Sequence, residues 1–564
     1  MKNSLTIVLS GEAGQGLQTT EEFLVEAIAQ SYYVFSTKDV MSRVRGGNNT
    51  VQIRLSDQFV YAYQHTIDML FLLNDHSFSR LTNRITDKTI IFGEEGFADP
   101  LVINEKRATF KSFNLKELSK EAGGALLANT ILFGFIAGML ELDEDSCKKQ
   151  IMKRFLKRGE KVINDNQTAF DMGYKRGVKY PLQKEFMKSS DTSTYKISDG
   201  TTAVGLGAIA GGCNFVASYP MSPGTGVLTY LARKSNAFEI LVEQAEDEIA
   251  ALNMVIGAWY AGARGLATTS GGGFALMEEA VSLSGITETP CVVHVAQRPG
   301  PGTGLPTRTE QADLNLVVYA GHGEFPRIVF APGKLEDAVK LSQKAFYLAD
   351  KYQVPVFILT DQFFLESLGQ MERFELDDQY LESFITKTEE EYKRYLLTKE
   401  ILSPRGIPGY GNGLVKVDSD EHDESGGITE DFNVRVQMNE KRLMKRELLL
   451  EEYSDAELIG PSDYRYLIVG WGSTYGVLKE FVETNENNDV AFLYVKQVFP
   501  LHKNLTTYFD QAQKVIAIEN NATGQFANLL KLELDIKVDD KILKYNGEPF
   551  SIEEVEKRLK EVLS

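Results

Sequence analysis

The chain has 564 residues, 43% of them hydrophobic, enough to bury several cores and to imply about three or four domains. Its formal net charge of −19 argues against a nucleic-acid partner, which would favour a basic face. Cys147, Cys213 and Cys291 lie far apart without CxxC spacing, so they fit a reducing compartment and cannot supply a four-thiolate iron–sulfur site.

The first residues, SLTIVLSG, read as a strand and not as a basic-then-apolar targeting signal. No apolar run approaches membrane-spanning length, so a cytoplasmic protein with no membrane contact is expected. GEAGQG follows, then a helix from Thr19 through Ile28. The glycines at 11, 14 and 16 are spaced opposite to a GxGxxG fingerprint, which makes a weak phosphate-loop signal. Backbone amides at Gly14, Gln15 and Gly16, with Arg45 of SRVRGGNNTVQIRLSD, could meet a pyrophosphate; equally they could be packing turns. This first α/β domain is expected over 1–185, with a polar linker over 186–197 containing MKSSDTSTYK.

From 198 to 370, strand and helix patterns alternate as in a mostly parallel sheet, with Asp199-Gly200 read as a linker dipeptide. Three polar clusters fall at its loops: SYPMSPGTG (Ser218 to Gly226), VEQAEDEIAAL (Val242 to Leu252) and AQRPGPGTGLPTRTEQADL (Ala296 to Leu314). Around Glu248, the residues Ala245, Ile249, Leu252, Val255, Ile256 and Trp259 recur at helical spacing, and Glu248 falls inside that apolar stripe. Glu246 and Asp247 should project outward, where a helix dipole accounts for them. A carboxyl among aliphatic side chains loses hydration, which raises its pKa and suits it to share a proton with a buried nitrogen base. Backbone donors satisfying it would be the ordinary structural explanation.

Arg298 follows the apolar run CVVHVAQ, placing it where a parallel strand meets its loop, the usual ligand edge of an open α/β sheet. A guanidinium there suits bidentate capture of a carboxylate; a surface pairing with Glu310 or Asp313 is the alternative. Gly300, Gly302 and Gly304 permit close backbone approach, and Thr303 and Thr307 offer hydroxyls. Segment 371–461 is charge-rich, and its DEHDESGGITED run is more simply a solvated face around His422 than a metal cluster. Residues 462–564 return to strand–helix alternation, with YLIVGWGS, VAFLYVKQ and KVIAIENN as strands and His502 at the surface. Glu519, Asn520 and Gln525 of ENNATGQFANLL are expected to cap and hydrogen-bond within the core.

YPMSPGTG, EQAEDEIAALNMVIGAWYAGARGLATTSGGGFALM, QRPGPGTGLPT and HGEFPRIVFAP together resemble the α subunit of 2-oxoacid:ferredoxin oxidoreductases, in the form carrying a γ domain fused ahead of α. GEAGQG, VRGG, the EHDE element and the closing ENNATGQ extend the resemblance over nearly the whole chain. It implies a multidomain α/β protein: a γ domain, the pyrimidine-binding domain of a thiamine-diphosphate enzyme, an insertion, and a transketolase C-terminal-like domain. It further implies CoA-dependent oxidative decarboxylation of a 2-oxoacid, with ferredoxin as electron acceptor. Glu248 matches the glutamate that contacts N1′ of the aminopyrimidine, and Arg298 the arginine that holds the substrate carboxylate. Ser222 stands where the family has threonine near the reacting carbonyl, and Tyr219, Pro220, Thr225, Thr303 and Thr307 fall on substrate-lining positions. Ser270 and Gly271 fall beside the cofactor, and Gly14, Gln15, Gly16 and Arg45 fall on the domain associated with coenzyme A.

Several positions depart from the family pattern. Gly224 and Thr225 replace a serine pair, Gly272 a proline, Gly302 a serine, and Ala13 a glycine. No Gly-Asp-Gly element is present for Mg²⁺ and diphosphate, so the resemblance implies that Mg²⁺ and a [4Fe–4S] cluster sit on a separate β subunit, in a dimer of αβ pairs. The RxGPxTGxPT arrangement leans toward 2-oxoglutarate or broad 2-oxoacid use over pyruvate. An NAD-dependent oxidoreductase and a noncatalytic assembly scaffold are the competing classes.

Overall fold

A computed structural model describes residues 3–41, 47–181, 186–189, 191–486 and 489–563. The chain forms two compact units: Met1–Ser198 with Glu366–Arg373 and Ser551–Leu559, and Asp199–Leu365 with Phe374–Phe550 and Lys560–Ser564.

In the first unit an eight-stranded mixed sheet runs in the order Thr109–Ser112, Ile90–Gly93, Met69–Leu72, Ser4–Glu12, Asn48–Ser56, Tyr33–Asp39, Leu368–Met371, Lys196–Asp199. Ser4–Glu12 is its centre, antiparallel to Asn48–Ser56 and parallel to Met69–Leu72. Helix Leu17–Ile28 starts two residues before the sequence expectation, directly after Gly16, whose φ of 74° turns the chain out of the strand. Helices Ala128–Met139 and Glu160–Gly177 touch through small residues. A Cβ on Gly134 would sit 2.2 Å from the Phe170 carbonyl oxygen, and one on Gly177 2.0 Å from that of Phe135, so only glycine allows this approach. Among the described residues no single helix is long and apolar enough to cross a membrane. The C-terminal helix Ile552–Leu563 contributes Glu553, whose carboxylate accepts from the amides of His65 and Thr66 at 3.0 Å each.

The second unit holds two sheets. The larger, ordered Gln497–Phe499, Ile328–Phe330, Pro355–Asp361, Cys291–Gln297, Gly265–Thr269, Phe215–Ser218, Leu241–Gln244, is parallel throughout except for Gln497–Phe499. Its central strands Gly265–Thr269, Cys291–Gln297 and Pro355–Asp361 are buried on both faces, as parallel sheets covered by helices require. Ser218, Thr269, Gln297 and Asp361 end their strands along one edge, and the three polar loops emerge there. Asp199 is not a linker residue: it accepts from Thr202 N at 2.7 Å and caps helix Gly200–Ala210. The smaller sheet, Glu457–Ile459, Val490–Tyr494, Tyr466–Gly470, Lys514–Glu519, Asp540–Leu543, is parallel apart from its first strand.

Segment 371–461 is tied down by charge buried under its long helix, Phe432–Glu451. Lys441 and Lys445 meet Glu288 at 2.8 and 2.5 Å, and all three side chains are nearly inaccessible. Burial works against the Glu288 carboxylate, yet Lys445, Lys441 and Arg394 hold it well below the usual range. His422 is fully buried and stacks on Tyr395 at 3.8 Å, while Glu421 pairs with Arg435 and Arg442. His502 is half-buried, not a free surface residue; its ring accepts from Asn504 N and stacks on Tyr453. Replacing Glu288 by Ala strands two ammonium groups in the interior. The expected loss is about 3–5 kcal/mol of stability, measurable by urea denaturation of the purified chain.

Candidate active site

Helix Glu248–Tyr260 is started by Asp247, whose carboxylate accepts from Ala250 N at 2.8 Å. The helix begins later than the sequence pattern implies. Glu248, Ala251, Leu252, Val255, Ile256 and Trp259 are buried, following i, i+3, i+4, i+7, i+8 and i+11. Ile249, expected on that face, is 49% exposed, and Ala245 lies before the helix. The indole of Trp259 donates to the Gly265 carbonyl at 2.9 Å, fixing the helix to the adjacent strand.

Glu248 is 3% exposed, and its Oε1 has no hydrogen-bond partner among the described residues. Desolvation raises its pKa, with a smaller push from Asp247, against the opposing hydrogen bond of a backbone amide. The carboxyl faces the turn Gly271–Phe274. A Cβ on Gly273 would lie 2.4 Å from Glu248 Oε1 and 2.2 Å from Thr269 Oγ1, so a side chain there would evict the acid. The Ser270 hydroxyl, at the start of the same turn, is also buried without a partner. Two orphaned polar atoms flanking a glycine turn cost stability in the isolated chain, and a polar ligand with ring nitrogens and an amino group would satisfy them.

The other side of this turn meets a second carboxyl. A Cβ on Gly271 would fall 2.2 Å from Asp313 Oδ2. Asp313 N donates to Gln297 Oε1 at 3.0 Å, which holds the residue beside the strand end carrying Arg298. Burial and the neighbouring Glu310 push its carboxyl up to about 6, and Arg298 opposes them. The half-buried Arg298 donates from Nη1 to the Ser222 carbonyl at 2.7 Å, joining its loop to SYPMSPGTG. Ser222, Arg298, Asp313 and the glycine turn that faces Glu248 are therefore contiguous. Gly302 O lies 3.7 Å from where a Cβ on Gly272 would stand, so the two glycine loops face each other closely.

The remaining expected positions surround this group less tightly. Tyr219 and Thr303 are exposed, Pro220, Thr225 and Thr307 half-buried, and Thr225 opens helix Thr225–Phe238. Beneath the site, His294 bridges Thr268 and Thr360, each ring nitrogen 2.8 Å from a hydroxyl, and burial pushes its pKa down to about 3. It serves as a neutral strut between three strands. Gly14, Gln15 and Gly16 belong to the first unit, where Gln15 Oε1 accepts from Glu12 N at 2.7 Å and Gly16 packs on Asn129. Arg45 and Gly46 lie outside the described residues. In the sequence Asp313 stands out only as a pairing partner for Arg298, and Gly273 not at all, because its role arises from a contact distant in sequence.

An acid with an unsatisfied oxygen, set at the ligand edge of a parallel sheet, is the arrangement of a ligand-binding α/β domain. Residues 206–441 match the family model described as pyruvate flavodoxin/ferredoxin oxidoreductase, thiamine diphosphate-binding, and residues 6–176 match pyruvate ferredoxin/flavodoxin oxidoreductase. The 2-oxoacid:ferredoxin oxidoreductase subunit alpha of a Sulfolobus species is 29% identical over 99% of this chain and 97% of its own. The 2-oxoglutarate synthase subunit KorA of Methanocaldococcus jannaschii is 33% identical over 57% of this chain and 87% of its own. The solved 2-oxoglutarate:ferredoxin oxidoreductase of Magnetococcus marinus, with 2-oxoglutarate, coenzyme A and succinyl-CoA bound, is 30% identical with a TM-score of 0.93 over the full length of both chains. The chain belongs to the 2-oxoacid:ferredoxin oxidoreductases and is an α subunit of that family.

Asp313 makes a measurable prediction. Its folded pKa, about 6, stands above the ordinary 3.8, so ionising it costs the native state stability. That cost is absent below the unfolded value and complete above the folded one. Asp313→Asn is therefore expected to be more stable than the parent by about 3 kcal/mol near neutral pH, an advantage that shrinks as the pH falls from 6 toward 4. Urea denaturation across that range measures it.

Proposed function

We propose that this chain, with a β subunit, converts a 2-oxoacid, coenzyme A and oxidised ferredoxin into an acyl-CoA, CO₂ and reduced ferredoxin. Loss of CO₂ and thioester formation release two electrons to ferredoxin and one proton to solvent. The observation that carries this reading is the partnerless Glu248 Oε1 facing the Gly271–Phe274 turn. When bound, thiamine diphosphate supplies a carbon nucleophile for the 2-oxo group and takes up the electron pair left by CO₂.

Glu248 would hold a proton toward the cofactor's ring nitrogen N1′, and its raised pKa favours a shared-proton arrangement. Ser270 and Gly271 would line the ring. Arg298, already bonded to the Ser222 carbonyl, presents its remaining donors to the substrate 1-carboxylate. Ser222 is placed to assist near the substrate carbonyl, and Tyr219, Pro220, Thr225, Thr303 and Thr307 shape the approach. Gly14, Gln15, Gly16 and Arg45 are proposed to serve coenzyme A. Mg²⁺ and a [4Fe–4S] cluster are assigned to the β subunit in a dimer of αβ pairs, because the chain lacks Gly-Asp-Gly and its three cysteines are buried, with thiols pushed up to about 12. A cytoplasmic setting fits cysteines that are unpaired. The preferred substrate is 2-oxoglutarate or a broad set of 2-oxoacids, supported by the M. jannaschii and M. marinus relatives.

In the reconstituted complex, Glu248→Ala is expected to lower kcat about 10²–10⁴-fold. Unchanged turnover would make the chain a scaffold. Arg298→Ala is expected to raise KM for the 2-oxoacid roughly 10- to 100-fold, the worth of a charged hydrogen bond, while leaving KM for coenzyme A unaltered. Steady-state reduction of methyl viologen reads both.

A further inference from the structure

The ENNATGQ segment of the C-terminal domain does more than close its own helix. Gln525, 9% exposed, spans Asp313 with its side-chain amide: Nε2 donates to the Ala312 carbonyl at 2.7 Å, and Oε1 accepts from Asn315 N at 2.8 Å. One residue earlier, Gln311 is held just as firmly. Its backbone N donates to Asn520 O at 2.7 Å, its Oε1 accepts from Asn520 N at 2.9 Å, and its carbonyl accepts from Asn521 Nδ2 at 3.1 Å. The gripping residues are themselves locked. Glu519 accepts from the amides of Phe526 and Ala527, and Asn521 Oδ1 from that of Gly524.

Asp313 is the only charged residue in the gripped stretch Gln311 to Asn315. Its carboxyl rests on Gly271, and its position relative to Arg298 is set by backbone on both sides, the part that Gln525 holds. An interface needed only for assembly could be made of apolar contacts. Paired amide hydrogen bonds instead fix backbone direction, because losing one leaves a buried group unsatisfied. A released Asp313 could swing onto the guanidinium and neutralise the charge that attracts an anionic substrate.

We infer that Gln525 is a positioning residue that holds the Asp313 carboxyl back from Arg298, so that the C-terminal domain sets the affinity of the substrate-carboxylate subsite. The inference rests on the function proposed above and adds to it a domain that contributes no group to the chemistry.

A double-mutant cycle on the reconstituted complex tests it, with 2-oxoglutarate as substrate and methyl viologen as acceptor. Gln525→Leu is expected to raise KM for 2-oxoglutarate about tenfold, with kcat and KM for coenzyme A changing less than about twofold. In an Asp313→Asn background the same replacement should leave KM for 2-oxoglutarate unchanged, since the competing charge is gone. Gln525→Glu, which keeps the acceptor for Asn315 and loses the donor to Ala312, should give an intermediate rise and serves if the leucine variant does not fold. An equal rise in both backgrounds, or a loss confined to kcat, overturns the inference while the function stands. A parent complex that turns over no 2-oxoacid would overturn the function and this inference with it.

Discussion

A carboxyl group held out of water with one oxygen unsatisfied is the constraint around which this chain is organised. Glu248 could escape the penalty by pointing outward, but it occupies the first position of a buried stripe whose other members lock the helix onto the sheet. Gly273 leaves room for the acid and supplies no side chain to satisfy it. The cost is one that a bound ligand would offset in the proposed function, and burial raises the acid's proton affinity.

Everything else in the second unit serves to deliver groups to the same edge. Parallel strands end together, so loops distant in sequence converge: SYPMSPGTG through Ser222, TTSGGG through Gly271 and Gly273, and QRPGPGTG through Arg298. The neutral His294 bridge stiffens three of those strands from below. The buried Glu288–Lys441–Lys445 group anchors the charged insertion, and the ENNATGQ clamp anchors the loop after Arg298. Polar contacts of this kind fix geometry more than they add stability, because their desolvation offsets much of the attraction.

Much of the site was legible in the sequence because its signals are local. A glutamate in phase with apolar residues identifies a buried acid, and an arginine after an apolar strand identifies the sheet's ligand edge. Two details differ: with Asp247 as N-cap Ala245 lies outside the helix, and Ile249, about 100° round from Glu248, stands at the surface. Asp199 was mistaken for linker because a capping aspartate and a loop aspartate look alike until the following amides are placed. The expectation that Glu519, Asn520 and Gln525 act through core hydrogen bonds matches their contacts. The partners of Asn520 and Gln525, about two hundred residues upstream, could not be read from the segment itself.

The amino-acid sequence by itself determined the alternation of strands and helices, the buried phase of Glu248 and the loop placement of Ser222 and Arg298, since each follows from periodicity over a few turns or strands. Only the tertiary structure decided that Gly273 faces the acid, that Asp313 rests on Gly271 near Arg298, and that Gln525 holds Asp313 from both sides. These relations join segments far apart in the chain. Such distances are set by how the sheets and helices pack, and that packing leaves no periodic trace in the sequence.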